Sequence, residues 1–238
     1  MKILIYTDSR GDKIRQYQNH IHYTEKIYRD VLQQGGECEV YLCPEKWTTT
    51  MDFFRTIEGK DLQLYDWIIL QTSVVENSPR HKNDAYGKIY LDVKKKPYFD
   101  KIFGEDNMIK HFKTDFGKDY YYENVPTTNM FSLKMAIDHL IPKLEKINNL
   151  IWVSNCPLVG GDGQSWKGTY WKDRPKNIGI VNDYSKEYIK NMVNTKVIDT
   201  TNWNDSEIQK YTVDNMHYTK EGSDYIFEEI RKIYKKKK

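Results

Sequence analysis

Cysteine is scarce in this chain: Cys38, Cys43 and Cys156 are the only three in 238 residues. An odd number at irregular spacing excludes a disulfide framework and predicts reduced thiols. Long apolar runs are missing as well. No segment approaches the roughly 18 to 20 apolar residues that a membrane-spanning helix needs. The apolar start, Ile3-Leu-Ile-Tyr6, is too short for a secretory leader, and it ends at Thr7 without a small-residue cleavage site. The expected location is therefore the cytoplasm. There is little excess of charge of either sign: 37 Lys and Arg stand against 34 Asp and Glu, a net +3. Nothing in that balance predicts a nucleic-acid partner. Part of the surplus lies in the tail, Lys235 to Lys238, where weak contact with an anionic membrane surface competes with a plain solvated end. The oligomeric state is not legible.

Phosphate-binding fingerprints are also lacking, with neither a Walker A loop nor a GxGxxG. The loop Thr7-Asp-Ser-Arg-Gly-Asp12 could cradle a phosphate at a helix N-terminus. Gly160-Gly-Asp-Gly163 is followed by Gln-Ser-Trp-Lys and no clear helix. A nucleotide-binding module therefore stands only as an alternative.

What is present reads as one globular domain. Apolar residues make up 39% and charged residues 30%, too apolar for a disordered chain. Short apolar runs predict strands at 2–7, 38–43, 66–71, 150–154 and 196–199. Helices are expected at 20–34, 51–57, 131–147 and 184–193, and from Lys220 onward, with apolar stripes at helical spacing in the first, the third and the last. Strand and helix alternate, and 66–71 is apolar on both faces. That order predicts an α/β fold: a three-layer α/β/α sandwich around a mainly parallel five-stranded sheet. Ligands of such folds bind at the C-terminal strand ends. Residues 82–128 carry Lys94-Lys-Lys96 and Tyr120-Tyr-Tyr122 with few periodic apolar positions. The stretch is too long for an ordinary connection, so it is read as an insertion, either a lid or substrate-binding element or a surface excursion.

Ser9 follows the first strand, at a position where chemistry is expected. A serine hydroxyl needs a base, and the base needs an orienting group. Six histidines are available. His20 and His22 are two apart and make a weak metal pair. His139 lies within an amphipathic helix, and His81 and His111 sit in or beside the insertion. His217 differs. It stands in Val213-Asp-Asn-Met-His-Tyr-Thr-Lys-Glu-Gly222, directly before the last helix. Asp214, three residues earlier, can fold back onto its Nδ1 and leave Nε2 free to take a proton. Thr219 is a candidate N-cap for that helix. The bland alternative is a capping segment in which both side chains satisfy backbone groups.

Taken together, Asp8-Ser9 at one end and Asp-x-x-His at the other resemble the two terminal blocks of the SGNH (GDSL-like) hydrolase family. The resemblance implies a flavodoxin-like sheet, with Ser9 as nucleophile, His217 as general base and then acid, and Asp214 as the orienting carboxylate. No metal is implied. The middle blocks depart from the pattern. The family's glycine after the second strand is absent from Glu45-Lys-Trp-Thr-Thr-Thr-Met-Asp52, where an N–H of Lys46 or Trp47 is the candidate oxyanion donor. The family's Gly-x-Asn falls on Ser73-Val-Val75, so Ser73 or Asn77 is the candidate replacement. The spacing QxxxVxxxPR over 71–80 resembles a bacterial branch associated with surface-polysaccharide synthesis.

The resemblance implies a serine esterase, or an O-acyl(acetyl)transferase, acting on a carbohydrate ester through an acyl-enzyme on Ser9. Trp47, Arg80 and Trp166 are candidate substrate contacts, with Tyr170 and Trp171 nearby in sequence. Hydrolysis needs no cofactor. Transfer would use an acyl donor such as acetyl-CoA, for which the sequence carries no signature. The missing asparagine keeps a catalytically inactive scaffold that binds a glycan or a protein as the main alternative.

Overall fold

Strands that are apolar on every position need cover on both faces, and helices supply it. The computed structural model describes residues 1–12, 19–157 and 176–235. Within them the chain runs β1 (Lys2–Thr7), α1 (Tyr23–Gln33), β2 (Glu37–Leu42), α2 (Thr50–Ile57), β3 (Trp67–Gln71) and a single turn, α3 (Val74–Asn77). Next come β4 (Arg80–His81), a π-helical segment at Asp84–Tyr90, α4 (Lys96–Phe103), α5 (Glu105–Lys113), β5 (Tyr121–Tyr122) and β6 (Val125–Thr128). The remainder is α6 (Leu133–Met135), α7 (Ile141–Leu144), β7 (Leu150–Val153), α8 (Ile180–Asn191), β8 (Lys196–Ile198), α9 (Asp205–Tyr211) and α10 (Lys220–Lys235).

The five expected strands form one parallel sheet in the order β2-β1-β3-β7-β8. Successive side chains of a strand alternate between faces, and the two cores show it. Leu4, Tyr6, Ile68, Leu70, Leu150 and Trp152 enter one core, under α2, α4, α5 and α8. Ile3, Ile5, Trp67, Ile69, Ile151 and Val153 enter the other, under α1 and α10. The chain passes from β1 outward to β2 and then back to β3 on the other side of β1. That reversal opens a crevice at the C-terminal ends of β1 and β3, the usual ligand position in such sheets.

Three features were not expected. The 82–128 stretch is not poor in periodic apolar residues. Phe99, Ile102 and Phe103 of α4, and Met108 and Phe112 of α5, lie at helical spacing and share the core with the sheet. The lysine and tyrosine clusters obscured that stripe. Beside these helices, β4, β6 and β5 form a small antiparallel sheet. Second, the helix expected over 131–147 is interrupted by a π segment, Ala136–Leu140, in which the Ile141 N–H bonds Ala136 O. Pro142 has no N–H and crowds the carbonyl four residues back, so the turn before it widens. Third, α9 buries only Ile208, too little for an apolar stripe. Its signal was the capping box of Asn204 and Glu207.

Candidate active site

At the end of β1 the Asp8 N–H continues the ladder to Gln71 O at 2.7 Å. The chain then leaves the sheet in one tight turn, Ser9–Gly11, capped by the Asp8 carboxylate on the Arg10 N–H at 3.0 Å. Asp8, Arg10 and Gly11 are buried, and Ser9 alone is exposed. Glycine is required at 11 because a Cβ there would lie 2.0 Å from Thr7 Oγ1.

The loop between α9 and α10 brings up the opposite side. A bridge between Thr212 and Tyr218 closes it, and the Val213 N–H bonds His217 O at 2.8 Å. Asn215 takes up the reversal at φ 66°, a conformation asparagine tolerates better than most residues. Asp214 Oδ1 accepts the His217 N–H at 2.8 Å, and Oδ2 accepts the His217 Nδ1–H at 2.7 Å. Nε2 is thereby left as an acceptor, 3.0 Å from Ser9 Oγ. Residues 208 positions apart in sequence are joined in one Ser–His–Asp chain. Thr219 caps α10 as expected, with Oγ1 accepting the Gly222 N–H at 3.1 Å.

Buried polar groups hold this arrangement from beneath. Gln71 accepts from Tyr23 Oη at 2.6 Å and donates to Tyr218 Oη at 2.7 Å, tying β3 to α1 and to the histidine loop. Arg10, 2% exposed, pairs with the Asp8 carboxylate through Nε and Nη2 at 2.9 to 3.2 Å. Its other donors reach Thr72 O, Ser154 O and Asn155 Oδ1. One guanidinium therefore ties together the C-terminal ends of β1, β3 and β7. Burial opposes its charge, and Asp8 more than offsets that, so its pKa is raised. Sequence inspection passed over Arg10, although an Asp-x-Arg straight after a buried strand is itself a signal for an internal ion pair.

Beside Ser9 opens a cavity of about 190 Å³, lined by Trp47, Thr48, Val75, Arg80 and Met216 among others. Trp47 and Arg80 are thus at the site, and Trp166, with Tyr170 and Trp171, lies outside the described residues. The expected oxyanion donors fare differently. The candidates after the second strand were backbone N–H groups: Lys46, whose exposed side chain sets Nζ 4.6 Å from the Trp47 ring centroid, does not line the cavity, and Trp47 does. Ser73 is buried and accepts from Asn155 Nδ2 at 2.9 Å. Asn77 is also buried, its Oδ1 accepting from Tyr188 Oη at 3.3 Å on the far side of α3. Neither lines the cavity, because the single turn of α3 presents Val74 and Val75 there instead. No acceptor among the described residues takes the Ser9 or Thr48 N–H. Left-handed non-glycine residues gather around the site, at Cys43 (φ 44°), Trp47 (55°), Ser73 (93°) and Asn215 (66°). Such positions persist where the surroundings hold them. Trp47 and Ser73 stand in the two segments where the family's pattern has glycine.

The other histidines have separate places. Burial, with His20 and Lys26 adding to it, pushes His22 down to about 3, so it stays neutral beside Tyr218. His20 and His22 stack at 5.9 Å, and no cluster of three metal-ligating side chains exists among the described residues. His111 is buried against Asn129 O at 2.9 Å.

Glu76, fully buried, accepts from Thr50 N–H at 3.0 Å and from Thr50 Oγ1. Burial raises its pKa. A carboxyl raised in the folded state contributes stability that is complete below its unfolded value of about 4.3 and is lost as pH climbs through the folded value. Glu76→Gln removes that loss. Thermal melts from about pH 4 to about pH 8 should show the variant gaining on the wild type as pH rises. A constant difference would contradict the assignment.

No protein-family model matches the chain, and neither does any curated protein. Solved structures do. A lipase/acylhydrolase from Enterococcus faecalis is 14% identical, with a TM-score of 0.52 over 98% of this chain and 94% of its own. An acetyl xylan esterase is also 14% identical, with a TM-score of 0.50 over 98% of this chain and 99% of its own. At such identity the likeness is one of fold, and the fold of this chain is that of the SGNH (GDSL-like) hydrolases.

Proposed function

We propose that this protein is a serine-dependent esterase that removes a short acyl group from a carbohydrate. The observation that carries the proposal is the bond from Ser9 Oγ to His217 Nε2 at 3.0 Å, with Asp214 behind at 2.7 Å. Ser9 Oγ attacks the ester carbonyl and gives its proton to Nε2. Asp214 stabilises the imidazolium and keeps the ring oriented. The tetrahedral oxyanion is met by the Ser9 and Thr48 N–H groups, in place of the family's asparagine. Collapse breaks the ester bond, and Nε2–H protonates the departing alcohol. Water then repeats the sequence on the acyl-enzyme, releasing the acid and freeing Ser9.

The carbohydrate rests on the indole of Trp47 and the guanidinium of Arg80 at the cavity. The similarity to an acetyl xylan esterase supports the same substrate class. A sugar hydroxyl in place of water would make the enzyme an acyltransferase, drawing on a donor such as acetyl-CoA. The two outcomes differ in what acylates Ser9, a carbohydrate ester or a donor such as acetyl-CoA, and in whether water or a sugar hydroxyl deacylates it. A cytoplasmic site belongs to the same proposal, and among the described residues no helix is long and apolar enough to cross a membrane. Lys236 to Lys238 of the basic tail lie outside the described residues.

A fluorophosphonate probe should label Ser9, and the protein should release acetate from acetylated xylan. Absence of both would favour the inactive scaffold. Acetyl-CoA consumption that depends on an added sugar acceptor would select transfer.

A further inference from the structure

The loop that carries Trp47 and Thr48 is held by the 82–128 stretch. Lys95, at the start of α4, is 3% exposed in its side chain, and Asp52 is wholly buried. The Lys95 ammonium pairs with Asp52 Oδ2 and donates to Trp47 O at 3.1 Å. Asp52 Oδ2 in turn accepts the Thr49 N–H and Thr49 Oγ1, both at 2.9 Å, closing the capping box of α2. One ammonium thus grips a left-handed residue, Trp47 at φ 55°, and the helix cap two residues later.

The consequence concerns the peptide between Trp47 and Thr48. In a trans peptide the C=O and the following N–H point in opposite directions, and no cis bond is present among the described residues. Drawing the Trp47 carbonyl toward Lys95 turns the Thr48 N–H away from it. Both residues line the cavity with Ser9, and no described acceptor takes that N–H. We infer that Lys95 is a positioning residue: it fixes the 47–48 peptide so that the Thr48 N–H faces the oxyanion formed at Ser9. This rests on the esterase reading above. It gives the 82–128 stretch a role in the chemistry through a buried cation rather than as a lid. Lys94 serves as a neighbouring control. Its side chain is 59% exposed and, among the described residues, reaches only Glu45, at 3.6 Å.

The test compares the wild type, Lys94→Met, and the double variant Asp52→Asn with Lys95→Met on p-nitrophenyl acetate. The double variant removes both charges, so neither is left buried alone. Expected is a fall in kcat of about 10- to 100-fold with KM within about 2-fold, the range set by a misplaced donor. Affinity for a trifluoromethyl ketone, which forms the tetrahedral adduct, should fall with it. Lys94→Met should match the wild type. A folded double variant with wild-type kcat and ketone affinity would overturn the inference. A second measurement needs no variant: the Thr48 amide proton of the wild type should move downfield when Ser9 is phosphonylated, and an unmoved resonance counts against it. If the wild type neither labels nor hydrolyses the ester, the esterase reading has failed first, which separates the two failures.

Discussion

Replacing Ser9 by alanine should lower kcat on p-nitrophenyl acetate by about 10⁴- to 10⁶-fold, the range found when the nucleophile of such a chain is removed. KM should change little, because the cavity wall of Trp47, Thr48 and Arg80 is untouched. Stability should also change little. Ser9 is exposed, and its hydroxyl bonds only His217 among the described residues. The residue of activity that survives reports the backbone donors acting alone on bound substrate. His217→Ala should cost about as much, and the double variant hardly more, because the two side chains act as one unit. Fluorophosphonate labelling should vanish in Ser9→Ala. A variant that keeps more than about a tenth of wild-type kcat would remove Ser9 from the mechanism.

The second large effect lies beneath the site, at Arg10. Arg10→Met keeps much of the side-chain length but withdraws every side-chain donor, leaving Asp8 only the backbone N–H of residue 10. The Asp8 carboxylate is then buried without its partner, and Thr72 O, Ser154 O and Asn155 Oδ1 each lose a donor. Breaking a buried ion pair from one side costs about 3 to 5 kcal/mol. For a chain of this size that corresponds to roughly 6 to 20 °C in melting temperature. Urea titration should show a lower midpoint with an unchanged slope. Adding Asp8→Asn to Arg10→Met should recover part of the loss, since no charge then remains unpaired, and the two changes should be clearly non-additive. A loss under about 1 kcal/mol would mean that Asp8 is already satisfied without Arg10. Both variants should also impair turnover, because the turn that presents Ser9 is capped by Asp8 and held by Arg10.

Much of this site was written locally. The strands were legible because each is a short apolar run, and a parallel sheet buries such runs on both faces. Asp214 and His217 were legible because a three-residue loop spacing is a local constraint, and the structure gives it the expected shape. The Arg10–Asp8 pair is local and legible in Asp-x-Arg, whereas the bonds from Arg10 to the ends of β3 and β7 join residues far off in sequence. Asn77 was nominated as a substitute by proximity in sequence alone, and the single turn of α3 points it at Tyr188 instead. The insertion reads as polar along the chain, yet its Phe99, Phe103 and Phe112 pack into the main core and its middle lysine is buried. A stripe of apolar residues one face wide is easily hidden between charged neighbours.

The sequence by itself determined the five strands of the main sheet, their parallel arrangement, and the pair of blocks holding Ser9, Asp214 and His217, since periodicity and short-range spacing are properties of adjacent residues. Only the tertiary structure decided which groups surround Ser9. It placed the Trp47–Thr48 peptide under Lys95, turned Val74 and Val75 toward the cavity, and joined three strand ends through Arg10. Those contacts join segments tens to well over a hundred residues apart, and they exist only once the two cores have packed and set the distances between strand ends.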